Sequence, residues 1–296
     1  MLLRRLGHPA DDPTLHTLAQ TLGGRAEAQT RERMKQPVQE QTPQRTASAV
    51  GVLMLAGWLV RQRGPGWGKK KTNKPRVAWH ELKTGVFYTQ AQAVEKNGRG
   101  ILTDKVVVSW QGEPLELGQR LHQAACEHGR GRATEKLGVS DGAAWIGNVV
   151  KDRWPGAVEV LDFYHARQPV WDLGAAVVGE RQTARPGVEK QLHQLRHGRH
   201  TVALKTIAGL KAGRGAAGDI IRREQNYFAS HAARMNYRAV ADRSWAIGSG
   251  SVESACRQRQ GRFKRSGQAW TPLGLRHLCA LIAARQNGHW DILGNV

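Results

Sequence analysis

Hydrophobic and polar positions divide the chain into blocks of two different periods. The longest apolar run, Ala49 to Val60 (AVGVLMLAGWLV), is well short of the roughly 20 residues a membrane-spanning helix needs, and reads as a buried strand. A basic, turn-rich stretch follows from Arg61 to Lys74 (RQRGPGWGKKKTNK), then a strand-like stretch from Arg76 to Tyr88. Two strands about such a loop predict an antiparallel hairpin. Residues 114–128 place Leu117, Leu121, Ala124 and Ala125 on one face at helical spacing, which predicts an amphipathic helix. Leu137–Asp141 is a brief apolar segment ending in an acid. Ile146, Val149, Val150 and Trp154 then recur at helical spacing, Pro155-Gly156 stops that helix, and 157–163 (AVEVLDF) is the next strand candidate. Strand, helix and strand with short links predict a parallel crossover unit.

Flanking regions read differently. Residues 1–48 are polar, with Leu15, Leu18 and Leu22 able to make one short amphipathic helix before a tail without periodicity, so a poorly ordered arm is expected. From Arg167 to Tyr237 the pattern is helical and basic, with Leu192, Leu195, Ile207 and Leu210 as its apolar positions; Pro169 is an irregularity in that pattern. A glycine-rich turn, IGSGSVES, opens a last helical stretch to about Gln286.

Composition adds a partner class. The chain of 296 residues has 45 Lys and Arg against 24 Asp and Glu, a formal charge of +21, and 40% hydrophobic residues, enough for a folded core. Such an excess suits a polyanion: nucleic acid first, an anionic membrane surface second, with insertion into the membrane excluded. Polar residues precede the apolar run and no cleavage site follows it, so no signal peptide is read and a cytoplasmic protein is expected. Cys126, Cys256 and Cys279 are odd in number and far apart, which predicts reduced thiols.

Candidate chemistry is sparse. The loop RQRGPGWGKKK fails the phosphate-loop spacing, but Lys69, Lys70, Lys71, Lys74 and Arg76 sit close enough together to neutralise DNA phosphates; a solvated hairpin tip is the plainer reading. His193, His197 and His200 would share one face of a continuous helix, but Gly198 interrupts it and no cysteine pair or nearby acid completes a metal shell, so they read as surface histidines. Asp141 and Asp162 end successive strand candidates and Glu253 opens a helix. Carboxylates at strand ends converge on one edge of a sheet, where hard oxygens suit Mg²⁺, although acids at element ends also serve as caps.

The stretches VSDGAAWIGNVVKDRWPGAVEVLDFYHARQPVW (139–171) and IGSGSVESACRQRQGRFKRSGQAWTPLGLRHLCALIAARQNGHWD (247–291) together resemble bacterial insertion-sequence transposases of the DDE type, the Kra-like group. The resemblance extends to 57–88 and, more loosely, to YFASHAARMNY (227–237). It implies an α/β fold: a ribonuclease H-like mixed sheet flanked by helices, interrupted by a helical insertion, and preceded by the polar arm. The corresponding domains are 1–48 for the arm, 49–166 for the first part of the core, 167–245 for the basic insertion and 246–296 for the rest of the core with its glutamate helix.

In such transposases three acids hold two Mg²⁺ ions, or Mn²⁺ in their place, for DNA strand cleavage and transfer. The resemblance places the middle acid at Asp141 and the last at Glu253, with Asp162 and His165 matching an aspartate-x-x-histidine element near the site. It gives Arg262, Lys264 and Arg265 to the DNA backbone, and implies double-stranded DNA, both element ends and target, as the partner of a homo-oligomer. The family's first acid falls at Ala56, which cannot ligate a metal and would weaken ion binding; Glu81 on the next strand candidate is the nearest substitute. Two functions follow as expectations: a Mg²⁺-dependent transposase impaired at Ala56, or a transposase-derived protein that binds DNA without cutting it.

Overall fold

The computed structural model describes residues 12–36, 49–90, 93–96, 99–102, 104–128 and 133–290. In chain order the elements are α1 (Asp12–Lys35), β1 (Ala49–Arg63), β2 (Val77–Thr89), β3 (Ala93–Lys96), β4 (Arg99–Leu102), β5 (Val106–Trp110), α2 (Pro114–Glu127), β6 (Ala133–Ser140), α3 (Ala144–Arg153), β7 (Val158–Leu161), α4 (Phe163–Val178), α5 (Arg181–Arg196), α6 (His200–Ala208), α7 (Ala216–His231), α8 (Tyr237–Asp242), α9 (Gly250–Phe263) and α10 (Pro272–Gln286). Five strands form one mixed sheet in the order β5-β2-β1-β6-β7, with β2 and β5 antiparallel and β6 and β7 parallel. The class is therefore α/β, a mixed sheet with helices around it. Close contacts divide the chain into two compact units, one of residues 1–49, 55–134 and 251–296, the other of 50–54 and 135–250.

In the first unit the expected hairpin forms. Its loop is closed by the Gly64 N–H donating to the Arg76 carbonyl at 2.8 Å and the Gly66 N–H to the Pro75 carbonyl at 3.1 Å. Helix α2 buries Leu117, Leu121 and Ala125, the face its periodicity predicts. A polar chain crosses the sheet beneath: Trp58 Nε1 donates to Thr84 Oγ1 at 3.1 Å, and Thr84 and Ser109 share a 2.9 Å hydroxyl bond. All three residues are buried, so these bonds offset the desolvation of groups that would otherwise be orphaned.

Two expectations are corrected in this unit. The N-terminal arm is not irregular over Asp12–Lys35, where it forms one helix of 24 residues; residues 1–11 and 37–48 lie outside the described residues. This helix packs on α10 through small residues rather than through the leucines alone: Ala26 is buried against Ala284, Leu22 joins them, and Leu18 points outward. Gly23 is needed because a Cβ there would run into the His277 main chain. Buried Glu27 receives both terminal nitrogens of Arg120, at 3.0 and 3.2 Å, whose guanidinium lies 3.6 Å from the centre of the Trp110 ring. The last helical stretch is not continuous either. It breaks into α9 and α10 at residues 264–271, where Gly267 takes a φ of 75° and Thr271 Oγ1 accepts from the Gly274 N–H at 3.0 Å to start the next helix.

In the second unit β6, α3 and β7 form the expected crossover, in register from Leu137 opposite Val158 to Ser140 opposite Leu161. Ile146, Val149, Val150 and Trp154 are its buried face. Helix α4 starts at Phe163, four residues earlier than the expected edge of the helical block, and runs through Pro169. An interior proline removes one helix hydrogen bond and costs about 3 kcal/mol. Burial of Val170 and Leu173, and of Ala184 and Val188 on α5 beside Gly174, offsets that loss.

Candidate functional site

The acids of the second unit sit where the parallel strands place them. Ser140 and Leu161 are partners at the last rung of β6 and β7, so Asp141 and Asp162 follow on adjacent strand ends, and the Asp162 N–H donates to the Ser140 carbonyl at 2.7 Å. Asp141 is half-buried, and its Oδ1 accepts the Ala143 N–H at 2.9 Å in a turn whose next residue, Gly142, has φ 95°. A side chain at Gly142 would meet both His231 Nε2 and Leu161, so only glycine lets His231 come this close beside Asp141.

Asp162 is fully buried and its carboxylate is occupied by the fold. Oδ1 accepts the N–H groups of Tyr164 and His165 as the N-cap of α4; Oδ2 accepts the N–H of Ser249 at 2.9 Å and a short bond from the Ser249 hydroxyl. His165 Nδ1 lies 3.7 Å from Oδ2. Burial alone would raise this carboxyl, but the His165 and Ser249 side chains, with the N–H groups of Ser249 and Tyr164, outweigh it and hold it at about 2. The capping alternative is thus the one realised at Asp162.

Two residues of α7 without an assigned role in the sequence, Tyr227 and His231, lie beside these acids, and Arg234 in the turn after it holds the second. Tyr227 is pushed up to about 12 by burial and by the charges of Asp141, Glu224 and Asp162. Its ring meets His231 edge-on at 4.7 Å. Arg234, which can only donate, bonds His231 Nδ1 and lies 3.4 Å from Glu159. Burial, followed by the Arg234 charge, keeps His231 below its ordinary value. The i, i+4 spacing of Tyr227 and His231 was the available signal.

The other expected ligands belong to the first unit. Glu253 lies in the first turn of α9, as expected, half-buried and at the positive end of the helix dipole. Ala56 is in the interior of β1, not at its end, because the strand continues to Arg63. Glu81 does not stand in for it. Its carboxylate lies against Gly57 and pairs with Lys83 at 2.9 Å, and successive strand residues face opposite sides, so Glu81 is on the face away from the Ala56 methyl.

The segments that carry the two basic clusters are joined in the first unit. Arg63 N–H donates to the Trp270 carbonyl at 2.9 Å and Trp270 N–H to the Arg61 carbonyl at 3.1 Å, while Arg63 Nε reaches the Ala269 carbonyl. The loop after α9 is thereby pinned to the end of β1. Lys69, Lys70, Lys71, Lys74 and Arg76 on the hairpin loop, Arg262 in the last turn of α9, and Lys264 and Arg265 just after it are all exposed. Aromatic rings lie among them. Trp79 is 56% exposed, with Arg61 and Lys264 each 6.0 Å from its ring centre, and Trp67 is 41% exposed beneath Arg63 at 5.3 Å. The rings of His193, in the last turn of α5, and His197, its C-cap, lie 4.4 Å apart at the exposed surface, among Arg196 and Arg238, whose charges oppose a bound cation. Among the described residues no helix is long and apolar enough to cross a membrane.

No family model matches the chain, and no curated protein matches it.

Proposed function

We propose that this protein is a transposase-like DNA-binding protein, built on the ribonuclease H-like plan of the DDE transposases, that holds double-stranded DNA without cutting it. The observation that carries the reading is the seam between β1 and Trp270. It joins the two segments that carry the exposed cation clusters, far apart in sequence, and we infer that these cations act on DNA as one surface. Clustered Lys and Arg release counterions from DNA cooperatively, and a chain with +21 net charge has few competing acids. The parallel β6 and β7 strands ending in Asp141 and Asp162 agree with the plan that the sequence resemblance implies.

The donor set does not fit the two Mg²⁺ or Mn²⁺ ions of an active DDE site. Both oxygens of Asp162 are taken by main-chain and hydroxyl donors, Ala56 offers no oxygen, and Glu81 is on the wrong face of β1. Binding is the activity these residues support.

The test uses the full chain and supercoiled plasmid DNA in the presence of Mg²⁺ or Mn²⁺. The protein is expected to retain the plasmid in a salt-sensitive complex and leave it uncut. Metal-dependent nicking that Asp141→Asn abolishes would overturn the reading. Ala56→Asp tests the descent separately: nicking by that variant alone supports the family resemblance.

A further inference from the structure

A cleft of about 370 Å³ opens beside the basic seam, lined by His16 and Gln20 of α1, Arg63 and Trp67 of the hairpin, and Gln268 and Thr271 of the loop before α10. Its chemistry is specific. The Arg63 guanidinium covers part of the Trp67 ring at 5.3 Å and Arg63 is itself anchored to the Ala269 carbonyl, so the indole is held in place while 41% of the residue stays open. Each carboxamide spends its oxygen on the fold. Gln20 Oε1 lies 3.2 Å from His277 Nδ1, and Gln268 Oε1 accepts the Arg265 N–H at 3.1 Å. Among the described residues their NH₂ groups have no acceptor, and they remain as donors at the cleft. Lys69, Lys70 and Lys71 rise from the same loop as Trp67.

A fixed aromatic plane, a guanidinium and amide donors, with exposed lysines on the same loop, suit a flat ring that carries acceptors and is linked to phosphates. That is a nucleobase. A paired base cannot enter such a cleft, because its faces are stacked and its edge is occupied within the duplex. We propose that the Trp67 cleft captures one unpaired base of DNA bound on the adjoining cationic surface, stacking it on the indole. The inference rests on the DNA-binding reading above and adds a structural preference to it: distorted or locally opened DNA over intact duplex. An acidic peptide would satisfy the lysines, but would leave the indole and the amide donors without partners.

The test measures affinity of the full-length protein for two duplexes of the same sequence, one fully paired and one with a single bulged base. The bulged duplex is expected to bind about tenfold more tightly, the range of one base stacked on one aromatic residue. Trp67→Ala is expected to erase that preference, and Trp67→Phe to keep most of it. The ratio is taken on one preparation, so a partly unfolded variant does not alter it. Equal affinities in the wild type, or an undiminished preference in Trp67→Ala, would overturn the cleft while DNA binding stands. Absence of binding to either duplex would overturn the DNA-binding reading and the cleft together.

Discussion

Arg63 and Trp270, separated by most of the chain, are joined through the main chain: the Arg63 N–H donates to the Trp270 carbonyl at 2.9 Å. Nothing in either residue's local pattern requires this. Trp270 is held at the seam by its own side chain, whose Nε1 donates to the Phe263 carbonyl at 3.0 Å and whose ring meets Phe263 edge-on at 5.4 Å. Truncation to Trp270→Ala removes both interactions and is expected to destabilise the fold by about 2–3 kcal/mol. Because the loop then loses its anchor beside the lysines, DNA affinity is expected to fall about tenfold. Thermal unfolding and duplex binding, each compared with Trp270→Phe, separate the two effects; unchanged affinity in a folded Trp270→Ala protein would show that the seam does not organise the surface.

Asp162 links pH to stability. Its carboxyl is held at about 2 in the folded protein, below the ordinary value near 4, so the unfolded chain binds its proton first. The stabilisation, about 2 kcal/mol, is fully present above the unfolded value and is lost as pH falls through the folded one. Unfolding free energy is expected to decline steeply between about pH 4 and pH 2. In Asp162→Asn this part of the decline should vanish from the pH profile, at the expense of about 2–4 kcal/mol at neutral pH, because an amide NH₂ then faces Ser249 or the α4 cap. An undiminished acid slope in that variant would place the titration elsewhere.

Gly23 tests whether α1 belongs to the fold. A Cβ at this position would strike the His277 main chain, which cannot move without shifting α10. Gly23→Ala is expected to destabilise the protein by about 1–3 kcal/mol despite the better helix propensity of alanine, and to expose α1 to limited proteolysis. Added stability would mean that α1 is not packed on α10.

Periodicity made much of the fold legible. The hairpin of β1 and β2, the face of α2 and the β6-α3-β7 crossover follow from spacing, because each buries one continuous stripe. The face of α1 was hidden because Gly23 and Ala26 carry it, and small residues leave little hydrophobic signal. The break between α9 and α10 had its marks in Ser266-Gly267 and Thr271-Pro272, but the apolar residues on either side continue a helical pattern. Strand β5, VVVSW, is a short apolar run that periodicity cannot distinguish from part of a helix. At the candidate site the sequence placed Asp141 and Asp162 on neighbouring strand ends. It left open whether Asp162 would cap or ligate, since that depends on Ser249 arriving from far along the chain.

The central claim, one cationic surface for DNA built from two distant segments, is tested most directly by the salt dependence of duplex binding. Lys69, Lys70 and Lys71 are changed together to Gln in one variant, Arg262, Lys264 and Arg265 in another. Each phosphate that is no longer neutralised reduces the slope of log affinity against log salt by about 0.9, so each triple change is expected to reduce it by up to about 3, and the two together by about the sum. A slope unchanged by either triple change, in proteins that remain folded, would contradict the account.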